Sequence, residues 1–581
     1  MDLAHKKRLS RRVFMLLWGK IILCTILIIR LYKLQIKQHH KYQKIAEKNS
    51  TTTLMEPAPR GKILDRNNEP LAINKNIYGI IANGSKQATE SIAKLTTFLK
   101  LDLKKTQQII SNTPQNSSTL SIIMSNISWE QFCKVEINLH KLPGISTIIN
   151  QIRFYPYQHQ ASHIIGYTVN RHNDIKITKQ NIQSNTPVGK IGIEKYCDNI
   201  LSGAPGFIEK RINAKGLSID DIGWLAPKRG GSVKISIDIR AQQYALDILG
   251  DYTGCMMAID LSDGAMLVSC NSPSFNPNHF TQQLTPENWK KIQKNKSSPL
   301  FNRFTANLIP PGSLFKIVTA IAAIHNKTIN PMETIHCSGS MQVGNCTLHC
   351  WKKNGHGDVN LSNAIASSCN TYFYEIGKRI NIDLLLDVAK LFGFGTLTNI
   401  ESDNERSGFL PEKKWRQEHL KDKWFIGDTI NSVIGQGYIL ATPLQLITMI
   451  ARVATNQMIT PTFLNFGEKK TFPSLPLTAN ELKHIYQGMY DSVYAKYGTS
   501  FLKQNTYHNF TIAGKTGSSQ TVSKRNDTKN KTHAIFAGYA PFHTPKVAVL
   551  ALIEKAGAGS KVAAPRAKLM LQYLHKLGYL K

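Results

Sequence analysis

Pro310-Pro311-Gly312-Ser313-Leu314-Phe315-Lys316, continuing into the mostly apolar run Ile317–Ile324, decides how the rest of this chain is read. Proline ahead of a serine and then a helical pattern marks a helix N-terminus. Three residues apart on a helix, Ser313 and Lys316 share one face. A serine hydroxyl is a poor nucleophile until a base takes its proton. Lysine can be that base once desolvation or a neighbouring cation lowers its pKa. The positive end of the helix also lies where an oxyanion would form. Alone, an S-x-x-K tetrapeptide is cheap in a long chain and describes an ordinary capped helix equally well.

Two further stretches change that balance. Ser368-Cys369-Asn370 follows a helical segment, and Lys515-Thr516-Gly517-Ser518 ends a strand-like one. With these three motifs in this order, the chain resembles the penicillin-binding proteins and serine β-lactamases, whose signature is S-x-x-K, S-x-N/D and K-T-G. The resemblance implies roles. Ser313 would be acylated by the penultimate D-alanine carbonyl of a peptidoglycan stem peptide, with Lys316 as general base. Ser368 would relay protons to the leaving amine, and Asn370 would hold the substrate amide and Lys316. Lys515 would attract the terminal carboxylate and keep Lys316 neutral. Thr516 and Ser518 would bind that carboxylate, and Gly517 would let substrate lie against the strand edge. The N–H groups of Ser313 and Ser518 would form the oxyanion hole, β-lactams would inhibit, and water in place of an acceptor amine would give D,D-carboxypeptidase side activity.

The bulk properties agree with a multidomain, membrane-associated chain. At 581 residues it is too long for one core. The formal charge of +34 comes from 72 Lys+Arg against 38 Asp+Glu. Such an excess favours polyanions, but the basic residues are dispersed and no nucleic-acid motif accompanies them, so no nucleic-acid partner is expected. An anionic membrane or wall polymer is the simpler partner. His5-Lys6-Lys7-Arg8 and Arg11-Arg12 precede an apolar run from Val13 to Ile29, extendable to Ile36 if Lys20 and Arg30 snorkel. No small-x-small cleavage site follows, which predicts an uncleaved signal anchor. The basic flank stays in the cytoplasm. The expected localisation is therefore the bacterial inner membrane, single-pass, with the bulk periplasmic.

The organisation expected is a cytoplasmic basic tail (1–12), a transmembrane anchor (13–36), a polar helical stalk (37–56), a pedestal (57–228) and a transpeptidase domain (229–581). Gly230-Gly231 marks the last boundary. After it, Val233–Ile239 alternates like a strand and a helix is expected near 241–250. Cys255–Asp260 and Ala265–Cys270 flank Asp263-Gly264, a hairpin signal. A mainly helical block runs from 313 to about 455. Strands return at Asn509–Ala513, Ala534–Tyr539 and Val547–Ile553, closed by a helix near 563–577. This order predicts an α+β fold, an antiparallel sheet flanked by helices.

Arg60–Asn67, Arg153–Tyr167 and Gly189–Tyr196 resemble the non-catalytic, dimerisation-type pedestal of class B penicillin-binding proteins. Trp424–Asn431, Gly435–Tyr438 and Ala441–Gln445 resemble the elongation branch, penicillin-binding protein 2. That branch implies cross-linking of stem peptides during cell-wall elongation and maintenance of cell shape. It also implies a SEDS-type glycan polymerase and other elongation-complex proteins as partners. Two other readings use the same motifs: a membrane-anchored β-lactam sensor or hydrolase, against which the pedestal argues, and a non-catalytic scaffold, against which the intact Ser313, Lys316 and Lys515 argue.

Nine cysteines are present, four of them between Cys337 and Cys369. Cys337, Cys350, His356 and Cys369 read C-x12-C-x5-H-x12-C, and three thiolates with one imidazole suit tetrahedral Zn2+. Some elongation transpeptidases resemble this chain in carrying a structural zinc beside the S-x-N loop. In them the ligands include the histidine of the Gly355-His356-Gly357 stretch and the S-x-N cysteine, here Cys369. Cys346 is an alternative to Cys337, and a disulfide among Cys337, Cys346 and Cys350 is an alternative to metal in an oxidising periplasm. The chemistry itself needs no cofactor. Cys255 and Cys270, in strand-like runs, read as small buried hydrophobes.

Overall fold

The computed structural model describes residues 3–83, 86–99, 120–170, 187–212, 218–281, 286–464, 466–501, 510–520 and 532–581. An N-terminal helix spans Leu3–Tyr32, and Val13–Lys37 is long and apolar enough to cross a membrane. Its large side chains, Phe14, Leu16 and Ile28 among them, are exposed, as a lipid-facing helix requires. The polar stalk is helical only over His39–Ser50, and Thr51–Glu56 is already a strand. The reason is the β-branched run Thr51-Thr52-Thr53, which pairs antiparallel with Gly206–Ile212.

Among the described residues, two larger sheets and the short pair Tyr167–Asn170 with Pro187–Ile191 build the first half of the chain. One joins Thr51–Glu56, Gly206–Ile212 and Ser218–Leu225. The other orders Val233–Lys234, Ile63–Leu64, Pro70–Asn83 and Leu120–Ile127, with Ile145–Phe154 also paired to Pro70–Asn83. The three pedestal stretches singled out in the sequence converge on one buried carboxylate. Glu194 accepts from Arg60 Nε at 2.7 Å, from Arg153 Nε at 2.6 Å and from the Tyr155 hydroxyl at 3.3 Å. Arg60 also meets Asp198 at 2.7 Å. Glycine is required where the strands cross beneath this network, since a Cβ on Gly61 would stand 1.8 Å from the Gly231 carbonyl oxygen.

The alternating run Val233–Ile239 forms a strand only at Val233–Lys234, parallel to Ile63–Leu64. Beyond it Ser236 N–H donates to Phe463 O and the chain turns at Asp238, which caps helix α1 (Ile239–Leu249). The main sheet of this half has strands β1 (Gly254–Asp260), β2 (Met266–Ser272), β3 (Ala513–Gln520), β4 (Thr532–Ala540) and β5 (Val547–Ile553). Their order is β2-β1-β5-β4-β3, antiparallel throughout. Strand β3 begins at Ala513, not at Asn509, which lies outside the described residues.

Alternation along the strands sends side chains to two cores. Met257, Ile259, Ile535, Leu550 and Leu552 join the helical block, which includes α2 (Phe315–His325), α3 (Leu361–Ala366), α4 (Asn370–Arg379), α5 (Pro443–Thr455) and α6 (Ala479–Tyr494). Met256, Ala258, Phe536, Val549 and Ala551 join α1 and the closing helix α7 (Gly559–Lys576). Both faces are apolar because both are covered. Cys255 and Cys270 are fully buried among these strands. The helical block is interrupted over residues 335–359 by short hairpin strands, which hold the cysteine cluster.

Candidate active site

Ser313 does not open the α-helix itself. It sits in a single 3-10 turn, Gly312–Leu314, and α2 begins at Phe315. The tighter turn follows from Gly312, whose φ is +56° and whose N–H donates to Gly435 O at 2.9 Å. A Cβ on Gly312 would lie 2.8 Å from Ser518 O, so the Ser313 turn rests directly on strand β3. Gly517 faces Leu314 and Pro311 at the same contact. Ser518 is exposed at the rim, while Lys515, Thr516 and Gly517 are buried.

Lys316, fully buried one turn below Ser313, connects the motifs. Its Nζ donates to Ser368 O at 2.9 Å, to Ser368 Oγ at 3.3 Å and to Asn370 Oδ1 at 2.7 Å. It also lies 5.4 Å from the centre of the Phe373 ring. Burial lowers its pKa from the ordinary lysine value to about 8. Lys515, donating to Thr516 O at 3.3 Å, is pushed well below the usual lysine range by burial and by the positive charge of Lys316. A buried lysine with a lowered pKa, hydrogen-bonded to a second hydroxyl and an amide one turn from Ser313, has the chemistry of a general base.

The S-x-N loop is held from behind by the cysteine cluster. Ser368 has φ +54°, a conformation that non-glycine residues adopt rarely. Cys369 follows as the residue before α4, and Asn370 N–H donates to Cys350 Sγ at 3.4 Å. The ligand atoms of Cys337, Cys350, His356 and Cys369 all lie within 4.8 Å of one another. His356 Nδ1 is 3.6 Å from Cys337 Sγ and 3.5 Å from Cys350 Sγ. A tetrahedral zinc with bonds near 2.3 Å needs edges of about 3.8 Å, so these donors fit with small adjustments. Hydrogen bonds from Cys369 and His356 hold the Cys350 thiol far below its ordinary range, and the Cys350 and Cys337 thiols raise His356. Cys346 is exposed on the Cys346–His349 strand, outside the cluster.

The structure thus brings the Ser313 turn, Lys316, Ser368, Asn370 and the Lys515–Ser518 strand together, with the four metal-type donors next to the Ser368–Asn370 loop. Residues without a sequence signal complete the arrangement. Cys337 Sγ–H donates to Thr371 Oγ1 at 3.2 Å, and Trp351 Nε1 donates to Ser367 O at 3.0 Å. Thr499 lies against Thr516. Single threonines and tryptophans at irregular spacing carry no motif, and only the folded chain reveals them.

Comparison with known proteins gives the family. Residues 254–572 match the penicillin-binding protein transpeptidase domain, and residues 55–235 match the penicillin-binding protein dimerisation domain. The peptidoglycan D,D-transpeptidase MrdA of Haemophilus influenzae is 31% identical, covering 98% of this chain and 92% of that protein. Its Escherichia coli K12 counterpart is 28% identical, covering 95% and 92%. Helicobacter pylori PBP2, solved in complex with MreC, superposes with a TM-score of 0.80 at 30% identity over 91% of this chain and 99% of that one. Pseudomonas aeruginosa PBP2 in complex with WCK 5153 gives 0.67 at 26% identity over 90% and 98%. The chain belongs to the penicillin-binding proteins, in class B, where a dimerisation domain precedes the transpeptidase domain.

Proposed function

We propose that this chain is the peptidoglycan D,D-transpeptidase of cell-wall elongation and works through an acyl-enzyme on Ser313. The observation that carries the reading is Lys316. Its amine is buried, has a lowered pKa, and hydrogen-bonds to both Ser368 and Asn370 one turn from Ser313. Neutral Lys316 takes the Ser313 proton as Oγ attacks the penultimate D-alanine carbonyl. The oxyanion forms at the positive helix end, between the N–H groups of Ser313 and Ser518. Ser368 passes the proton to the leaving D-alanine amine. Lys515, Thr516 and Ser518 hold the terminal carboxylate. An acceptor amine from a neighbouring stem then attacks the ester; water in its place gives carboxypeptidase activity.

Cys337, Cys350, His356 and Cys369 would hold Zn2+ as a structural ion. It would fix the loop bearing Ser368 and Asn370 without entering the reaction. The apolar N-terminal helix anchors the chain in the inner membrane with its bulk in the periplasm. Residues 57–228 act as the pedestal and 229–581 as the transpeptidase domain. By analogy with the relative solved with MreC, and with a relative solved within a peptidoglycan synthase complex, the pedestal contacts elongation proteins, including a SEDS-type glycan polymerase. The test is labelling of the detergent-solubilised full chain with a fluorescent penicillin. A covalent band is expected in the wild type and absent in Ser313→Ala. An equally labelled Ser313→Ala protein would overturn the mechanism, and rapid loss of the label would favour a β-lactam hydrolase.

A further inference from the structure

The turn after α6, Tyr497–Ser500, is used by none of the steps above, yet it touches both the end of α3 and strand β3. It is rigidly seated. A Cβ on Gly498 would stand 2.4 Å from the carbonyl oxygens of Asp491 and Ser492, so only glycine closes the turn against the helix end. Ser500 N–H donates to Ser492 O at 2.8 Å. From α7, the buried Lys568 Nζ donates to Ser500 O at 2.8 Å. Tyr497 Oη donates to Asn363 Oδ1 at 2.9 Å, and Ser362 Oγ donates to His484 O at 3.0 Å, which holds α3 against α6.

From this seat Thr499 reaches in two directions. Its N–H donates to Ala366 O at 3.1 Å, at the end of the helix that leads into Ser368. Its hydroxyl lies 2.8 Å from that of Thr516, which donates to it. Ser492 Oγ stands 3.4 Å from Thr499 Oγ1 on the other side. The direction of that donation matters. A carboxylate only accepts hydrogen bonds, whereas a hydroxyl carries one hydrogen and two lone pairs. Thr516 can donate to a substrate carboxylate only by turning its hydrogen away from Thr499. Its lone pair then faces Thr499, which must donate in turn or leave a buried oxygen without a partner. Chains of hydroxyls aligned in this way strengthen one another.

We propose that Thr499 is a positioning residue for recognition of the substrate's terminal carboxylate, its hydroxyl donating to Thr516 so that Thr516 can donate to the carboxylate. The inference rests on the reading of Thr516 and Ser518 as the carboxylate subsite. Thr499 touches no substrate atom and acts through Thr516.

The test compares acylation of the full-length, detergent-solubilised chain by benzylpenicillin and by its methyl ester, in wild type, Thr499→Val and Thr499→Ser. Thr499→Val keeps the shape and removes the hydroxyl. The ratio of the two acylation constants should fall roughly tenfold in Thr499→Val, one hydrogen bond's worth of discrimination. Thr499→Ser should restore it to within about twofold, because serine retains the hydroxyl. An unchanged ratio in Thr499→Val overturns the proposal. So does an equal loss for acid and ester, which means packing alone, and so does a Thr499→Ser ratio as low as that of Thr499→Val. A wild-type chain that benzylpenicillin does not acylate overturns the acyl-enzyme reading and this proposal together. A wild type that reacts while the Thr499→Val ratio stays unchanged overturns this proposal only.

Discussion

Ser368 sits at φ +54°, a strained setting for a serine whose cost is on the order of 1–3 kcal/mol. The strain persists because Lys316 is bonded to both its carbonyl and its hydroxyl. In the proposed mechanism Lys316 sets the pH dependence of acylation. Only its neutral form accepts a proton, and burial has lowered its pKa to about 8. Below that value the neutral fraction falls as pH falls, so the acylation constant should drop about tenfold per pH unit and level off above it. Stopped-flow acylation across pH checks this; a profile flat down to the carboxylate range contradicts Lys316 as base. Lys316→Met should slow acylation by about 10²–10⁴-fold on the plateau above that pKa and flatten the pH profile below it. The order of the three motifs and the family they resemble made Ser313, Lys316 and the two tripeptides legible as candidates. The lowered pKa was not legible, since it comes from the burial of the amine within the folded helical block.

Among the elements, the short hairpins of residues 335–359 show where sequence reading stops. A helical block was expected there, because strands of three or four residues leave almost no periodic signal. The donors they carry were legible as residue types. The choice of Cys337 over Cys346 depends on the hairpin placing one inward and the other in solvent. Cys350→Ser removes one thiolate from the cluster and the acceptor for Asn370 N–H. It should lower bound zinc, thermal stability and the acylation rate together, as metal analysis, melting curves and penicillin kinetics would show. Unchanged metal content in that variant contradicts the assignment. In the pedestal, Glu194→Gln leaves Arg60 and Arg153 buried without their shared anion. Loss of one partner from a buried ion cluster costs about 3–5 kcal/mol. Hydrogen exchange at Gly61 and Gly192 should speed up accordingly, and exchange as slow as in wild type would show that the network is dispensable.

At the scale of the whole molecule, the α+β order was readable from strands, then helices, then strands, and the long apolar N-terminal helix from its composition. The convergence of the three pedestal stretches on Glu194 was not readable, because nothing local says that Arg60, Arg153 and Glu194 meet. The cleft has the same origin. Its nucleophile turn, its S-x-N loop and its K-T-G strand come from distant parts of the chain, and only the complete fold closes them around Ser313. Covalent capture at that serine therefore tests the assembled site as well as the residue. The most direct measurement is peptide mapping by mass spectrometry of the full-length chain after treatment with benzylpenicillin. A single penicilloyl adduct on the peptide containing Ser313 is the predicted result. An adduct on another residue, or none on a chain shown to be folded, would contradict the acyl-enzyme account.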